Sequence, residues 1–284
     1  MYAASLLINL LVATGLPDQG VAGILAQDRA LGESVRRQGL ARALRPVWAD
    51  NAVFLYAGAP VVIGKHRIEA LLAAQPVLQS LTVHWAPRDG WLSAANDFAV
   101  TYGVTQITMG QETKEGTYIG CWRAESGTWR LVGLQLSPVA PPAKTVLPSD
   151  LGPKELPAAA PAGPAKEMIQ ADLDFAALAG RVGAPDAFAE FAAPESVVFG
   201  GGTARRGPDA IRANLSAGPQ ADWSWYPVYG QAAVAGDLGF TVGQSVIKPR
   251  GGGEASYGKY LTVWRKGPDG RVRFLTDAGN GRPR

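Results

Sequence analysis

The chain has 284 residues, 47% of them hydrophobic and 18% charged, which suits two globular domains of ordinary size and excludes a disordered chain. Its 27 basic and 24 acidic residues leave a net charge of +3, and the pairs Arg36–Arg37 and Arg205–Arg206 are too short for a nucleic-acid-binding stripe. The single cysteine, Cys121, excludes a disulfide framework, and two histidines, His66 and His84, leave zinc or iron short of ligands; no metal or other cofactor is expected.

Residues 1–22 open with an apolar run from Ala3 to Ala13, followed by small residues and a Pro-Asp-Gln loop. The run is too short for a stable membrane span and has the length of a secretory signal, although no Lys or Arg precedes Arg29. An exported, periplasmic or secreted protein is one reading. A buried amphipathic helix in a cytoplasmic protein is the other. The spacing then predicts helix over Ile24–Arg45, a short strand beginning near Ala49, a glycine turn and a short helix to Leu72. Strands follow around Trp85 and over Asn96–Thr108, and a hairpin closes the segment at Gly116–Val132.

Ser137–Ala165 carries eight prolines among alanines and glycines, a composition that reads as an extended, unpacked linker. Beyond it the first pattern returns. Lys166–Phe191 is helical in periodicity, Ala193–Leu215 repeats the strand, glycine turn and short helix, and Asp222–Pro227 and Gly236–Ile247 repeat the strands. The hairpin at Tyr257–Phe274 repeats Tyr-x-x-x-Trp-Arg. Trp85/Trp225, Asp97/Asp237, Gly103/Gly243, Tyr118/Tyr260 and Trp122/Trp264 keep nearly constant offsets. Two α+β units follow, at 23–136 and 166–284, each a mainly antiparallel sheet with its helices on one face.

Each unit resembles a domain of the nuclear transport factor 2-like (NTF2-like) superfamily, in its SnoaL-like/DUF4440 branch. The resemblance rests on Ala49–Val53 before the glycine turn, on Gly236–Gly243, and on Tyr260-Leu-Thr-Val-Trp-Arg265 with Asp269-Gly270. It implies two cones, each a curved sheet wrapped on helices around a pocket. It also implies pairing through the outer sheet faces, here within one monomeric chain.

The resemblance places Tyr260, Thr262, Trp264, Leu275 and Asp277 on the concave face, with Leu238, Phe240 and Val242 from the preceding strand. In the first unit it places Tyr118, Gly120, Trp122, Val132 and Leu134 there, with Phe98, Val100 and Tyr102. A small apolar or aromatic ligand suits such a lining, and so does plain core filling. Ketosteroid isomerase, a member of this superfamily, needs a carboxylate base where this chain has Tyr56 and Gly200. It needs a neutral acid where the chain has Gly120 and Thr262, and a tyrosine that neither first helix carries. That mechanism is not expected.

Asp277 with Tyr260 is the remaining catalytic candidate, as base and donor of a lyase, cyclase or isomerase. Asp277 as a cap on the terminal Gly279–Gly281 strand is the alternative. Three functions stay open: a non-catalytic small-molecule binder, an enzyme using Asp277 and Tyr260, and a purely structural module.

Overall fold

The computed structural model describes residues 20–79, 81–137, 145–151, 154–200 and 203–284, so the apolar segment at the start lies outside the described residues. Two helices, α1 (Gly20–Gln38) and α2 (Leu40–Leu44), precede strands β1 (Trp48–Leu55) and β2 (Val62–Ile63). Helix α3 (Lys65–Ala73) and a 3₁₀ turn (Pro76–Gln79) lead to β3 (Leu81–Leu92), β4 (Phe98–Met109), β5 (Glu112–Glu125) and β6 (Thr128–Ser137). After the proline-rich segment come α4 (Lys166–Val182), α5 (Ala184–Phe191), β7 (Val197–Gly200), β8 (Thr203–Arg206) and α6 (Gly207–Ser216). Strands β9 (Ala221–Ala232), β10 (Leu238–Pro249), β11 (Ser256–Lys266) and β12 (Val272–Gly281) end the chain. The same succession of elements occurs twice, and the fold is mixed α+β.

The helices follow from their apolar stripes. In α1, Ile24, Leu31 and Val35 are buried; in α4, Met168, Ile169, Phe175 and Ala179 are. Gly39 (φ 83) and Gly183 (φ 90) each occupy a backbone region closed to side chains and set the sharp break to the second helix. One aspartate interrupts each stripe, Asp28 in α1 and Asp172 in α4, and both are fully buried.

The first sheet has the order β2-β1-β6-β5-β4-β3, antiparallel except for the β1–β6 pair. The second has the order β12-β11-β10-β9, with β7-β8 as a separate hairpin and a bridge from Ala192, just after α5, to Phe274 of β12. Bulges between Val263 and Trp264, and between Cys121 and Trp122, lie at matching places in the two closing hairpins.

Each sheet is buried on both faces. The inner face of the second sheet packs Trp264 and Phe274 against Met168, Phe175 and Phe188. Its other face carries Leu238, Phe240, Val242, Leu261, Val263 and Leu275 into one continuous core with the first half. Phe98 and Phe240 meet across that boundary at 6.2 Å between ring centroids. Polar bonds seal its edges: Asn280 Nδ2 donates to the Leu55 and Leu136 carbonyls, both at 2.8 Å, and Arg123 Nη1 donates to Gln231 Oε1 at 2.6 Å.

The proline-rich segment forms no helix or strand over its described residues, as its composition predicts, but it is not unpacked. Thr145 Oγ1 donates to the Ala57 carbonyl at 2.9 Å, and Gln75 bonds both backbone groups of Val146. Farther on, the Leu156 and Ala159 N–H groups donate to Gln244 Oε1 and the Pro227 carbonyl. Leu151 is buried between these anchors. Prolines remove donors, yet the residues between them still satisfy theirs on the folded surface.

Candidate functional site

Each half contains the same buried polar network. In the first, Asp28 Oδ1 accepts from Trp85 Nε1 at 3.0 Å and Oδ2 accepts from the Tyr118 hydroxyl at 2.7 Å. In the second, Asp172 Oδ1 accepts from Trp225 Nε1 at 3.1 Å and Oδ2 from the Tyr260 hydroxyl at 3.0 Å. A threonine hydroxyl, Thr101 or Thr241, adjoins the carboxyl and holds its pKa down. That threonine accepts from Trp122 Nε1 at 2.9 Å or Trp264 Nε1 at 2.8 Å. Burial pushes the Asp28 carboxyl up to about 6 and Asp172 up to about 7, with the donors around each pulling the other way. Burial likewise raises Tyr118 and Tyr260, and the carboxylates beside them add to it.

The two networks differ in what covers them. In the first half Trp85 is 2% exposed and stacks on Tyr118 at 5.4 Å. Helix α1 lies directly on it, because a Cβ at Gly32 would overlap the Trp85 backbone and indole. The residue four beyond the aspartate in α4 is Ala176, and Trp225 is only half-buried. There a cavity of about 360 Å³ opens over the network. Phe175, Phe188, Trp223, Trp225 and Ile247 supply its apolar wall, and Tyr260, Thr262 and Asp277 its polar floor.

Asp277 stands opposite Thr262 in the β11–β12 register, where the first half has Leu134 opposite Gly120. Thr262 Oγ1 donates to Asp277 Oδ2 at 2.5 Å. Burial pushes Asp277 up to about 6, against the pull of that hydroxyl. It is not a cap on the Gly279–Gly281 backbone. Nor is it the partner of Tyr260, whose hydroxyl turns to Asp172 instead, since Tyr260 pairs in register with Gly279.

Several expected lining residues lie elsewhere. Leu238, Phe240, Val242 and Leu275 are on the face of the sheet that meets the first half, not on the cavity. Thr241 pairs with Thr262 in register, so the odd-numbered residues of β10 share the cavity face and the apolar even-numbered ones do not. Phe98, Val100 and Tyr102 are displaced in the same way, since Thr101 is opposite Gly120. Tyr102 stacks on Trp91 at 4.9 Å and meets Phe199 across the boundary. Trp264 is buried beneath the cavity among Phe175, Phe191 and Phe274. Tyr118 and Trp122 belong to the closed network, and Tyr56 is buried beside Phe54. The sequence reading named neither Asp28 nor Asp172, although an aspartate on an apolar helical stripe marks both.

Among the described residues, no three His, Cys, Asp or Glu side chains converge as metal ligands, and no helix is long and apolar enough to cross a membrane.

No protein-family model and no curated protein matches the chain. It is similar in structure to a ketosteroid isomerase-like protein from Erwinia carotovora atroseptica, at 13% identity and a TM-score of 0.35, covering 42% of this chain and 96% of that one. An NTF2-like protein of unknown function from Pseudomonas putida matches at 17% identity and a TM-score of 0.36, covering 47% and 99%. A Mycobacterium tuberculosis LEH-like epoxide hydrolase matches at 12% and 0.32, covering 42% and 84%. At these TM-scores the likenesses decide nothing about function.

Proposed function

We propose that the chain is a tandem of two NTF2-like cones paired face to face as an intramolecular pseudo-dimer, and that it binds one small apolar or aromatic molecule in the cavity of the second cone. The observation that carries this reading is the open cavity over Asp172, set against the same network closed beneath Trp85. An aromatic wall with a few polar groups at one end is the usual lining of a small-molecule site. The first cone then acts as a closed partner that covers the outer sheet face of the second.

Binding without turnover is favoured by the state of the floor. Tyr260 donates its proton to Asp172 and its pKa is raised, so it is a poor acid for a substrate oxygen. Thr262 is held by Asp277. One carboxylate without a complementary acid makes a weak acid–base site. The second reading, an enzyme with Asp277 as base, draws on the pKa of about 6 at the wall of an apolar cavity.

A panel of small aromatic compounds, read by thermal shift and by quenching of tryptophan fluorescence, tests the binding reading. At least one compound should raise the melting temperature and quench Trp223 and Trp225. If none does either, the reading is wrong. Turnover abolished by Asp277→Asn would move the assignment to the enzyme.

A further inference from the structure

The cavity floor can be accounted for donor by donor. The Tyr260 hydroxyl and the Trp225 indole N–H donate to Asp172, and the Thr241 hydroxyl adjoins the same carboxyl and holds its pKa down. The Thr262 hydroxyl donates to Asp277 Oδ2, and the Trp264 indole N–H donates to Thr241. Each hydroxyl has one proton and each indole one N–H, so these groups have none left to offer. What the floor still presents is acceptors: the second oxygen of Asp277 and the lone pairs of Tyr260 and Thr262. A polar group seated on this floor must therefore bring donors of its own, the other donors of the lining, Ser245, Ser256, Tyr257 and the Trp223 indole, standing around the floor rather than on it.

The charges agree. Asp277 is the carboxylate that lines the cavity, with Asp172 behind it. The cations nearby already have partners. Lys259 also lines the cavity, and its side-chain nitrogen donates to the Gly281 carbonyl at 2.8 Å. Arg282 is held by the Gly258 carbonyl and Glu155, and with Arg284 it stands over the Tyr257 ring. The wall adds the faces of Trp223, Trp225, Phe175 and Phe188, which attract cations by their quadrupoles.

We infer that the ligand of this cavity is a small protonated amine on an apolar or aromatic body, its ammonium seated against Asp277 and its body against the Trp223–Trp225 wall. This rests on the binding reading above and narrows it to one chemical class. The first half, with Gly120 and Leu134 in place of Thr262 and Asp277, has no such seat.

Titration calorimetry of the full chain at about pH 7.5 with phenethylamine, phenethyl alcohol and phenylacetate tests the inference, because the three differ mainly in the polar end. The amine should bind at least about ten-fold more tightly than the alcohol, a difference of about 1.4 kcal/mol, and phenylacetate most weakly. Asp277→Asn, checked for native circular dichroism, should weaken the amine at least about ten-fold and remove its preference over the alcohol. If the alcohol or phenylacetate binds as well as the amine, the inference fails and the binding reading stands. If the folded variant keeps the preference, Asp277 is not the seat and the inference fails. Binding by none of the three overturns the inference, and the wider aromatic panel decides the binding reading. The wild-type comparison decides the matter even if the variant does not fold.

Discussion

Asp97 and Asp237 each hold the turn that precedes the other. Asp97 Oδ2 accepts from the Val234 N–H at 2.8 Å, and Asp237 Oδ2 accepts from the Ala94 N–H at 2.8 Å. The exchange runs both ways between the β3–β4 and β9–β10 turns, as it would in a two-fold dimer. Ser93 supports Asp97 by donating to its other oxygen at 2.6 Å. Replacing either aspartate with alanine should cost about 1 kcal/mol in urea denaturation. The wild-type chain should unfold in one transition and elute as a monomer, since the shared core already covers both outer faces.

Gly32 is what allows α1 to close on Trp85. Gly32→Ala should destabilise the protein by about 1–3 kcal/mol, because the methyl meets backbone and a packed indole rather than a yielding side-chain tip. Near-ultraviolet circular dichroism should register the displaced Trp85. Ligand affinity should be unchanged, because the cavity lies in the other half.

The buried titrating groups make stability depend on pH in two opposed limbs. Asp28 and Asp277 titrate at about 6 and Asp172 at about 7 when folded, against an ordinary 3.8. Between those values the folded state holds protons that the unfolded state has lost. Their contribution is thus fully present below about pH 4 and is lost by about pH 7. Burial lowers Lys259 to about 7 from 10.5, with Arg282 adding to it. Above pH 7 the unfolded state holds the extra proton, so stability recovers toward pH 10. Urea midpoints at pH 5, 7 and 9 should be lowest at 7. Asp172→Asn should flatten the acid limb and Lys259→Met the alkaline one.

Giving the second hairpin the first one's residues, Thr262→Gly with Asp277→Leu, should abolish ligand binding without lowering stability at pH 7.5. Both partners of the bond leave together and a buried carboxylate goes with them, so no orphaned group remains. A calorimetric titration beside a urea melt checks both halves of this expectation.

Much of the fold was legible in the residue pattern that recurs along the sequence. Trp85/Trp225 and Tyr118/Tyr260 keep their spacing since each pair does the same work, donating to a helix carboxylate. The contrasts Thr262/Gly120 and Asp277/Leu134 were readable from the same alignment, and the register places each as a cross-strand pair. The helix carboxylates themselves were not picked out, because their offset differs from that of the tryptophans and only their place on an apolar stripe marks them. Strand faces were misjudged for a physical reason. Alternation separates two faces but tells core from surface only when one face is wet, and here Phe240 and Thr241 are both fully buried.

A crystal structure of the chain grown with phenethylamine tests the central claim most directly. The account predicts one molecule in the second half, between the Trp223–Trp225 wall and Asp277, and none beside Trp85. A molecule seated against Asp28, or a cavity at Asp277 filled by side chains with the amine bound elsewhere, would contradict it.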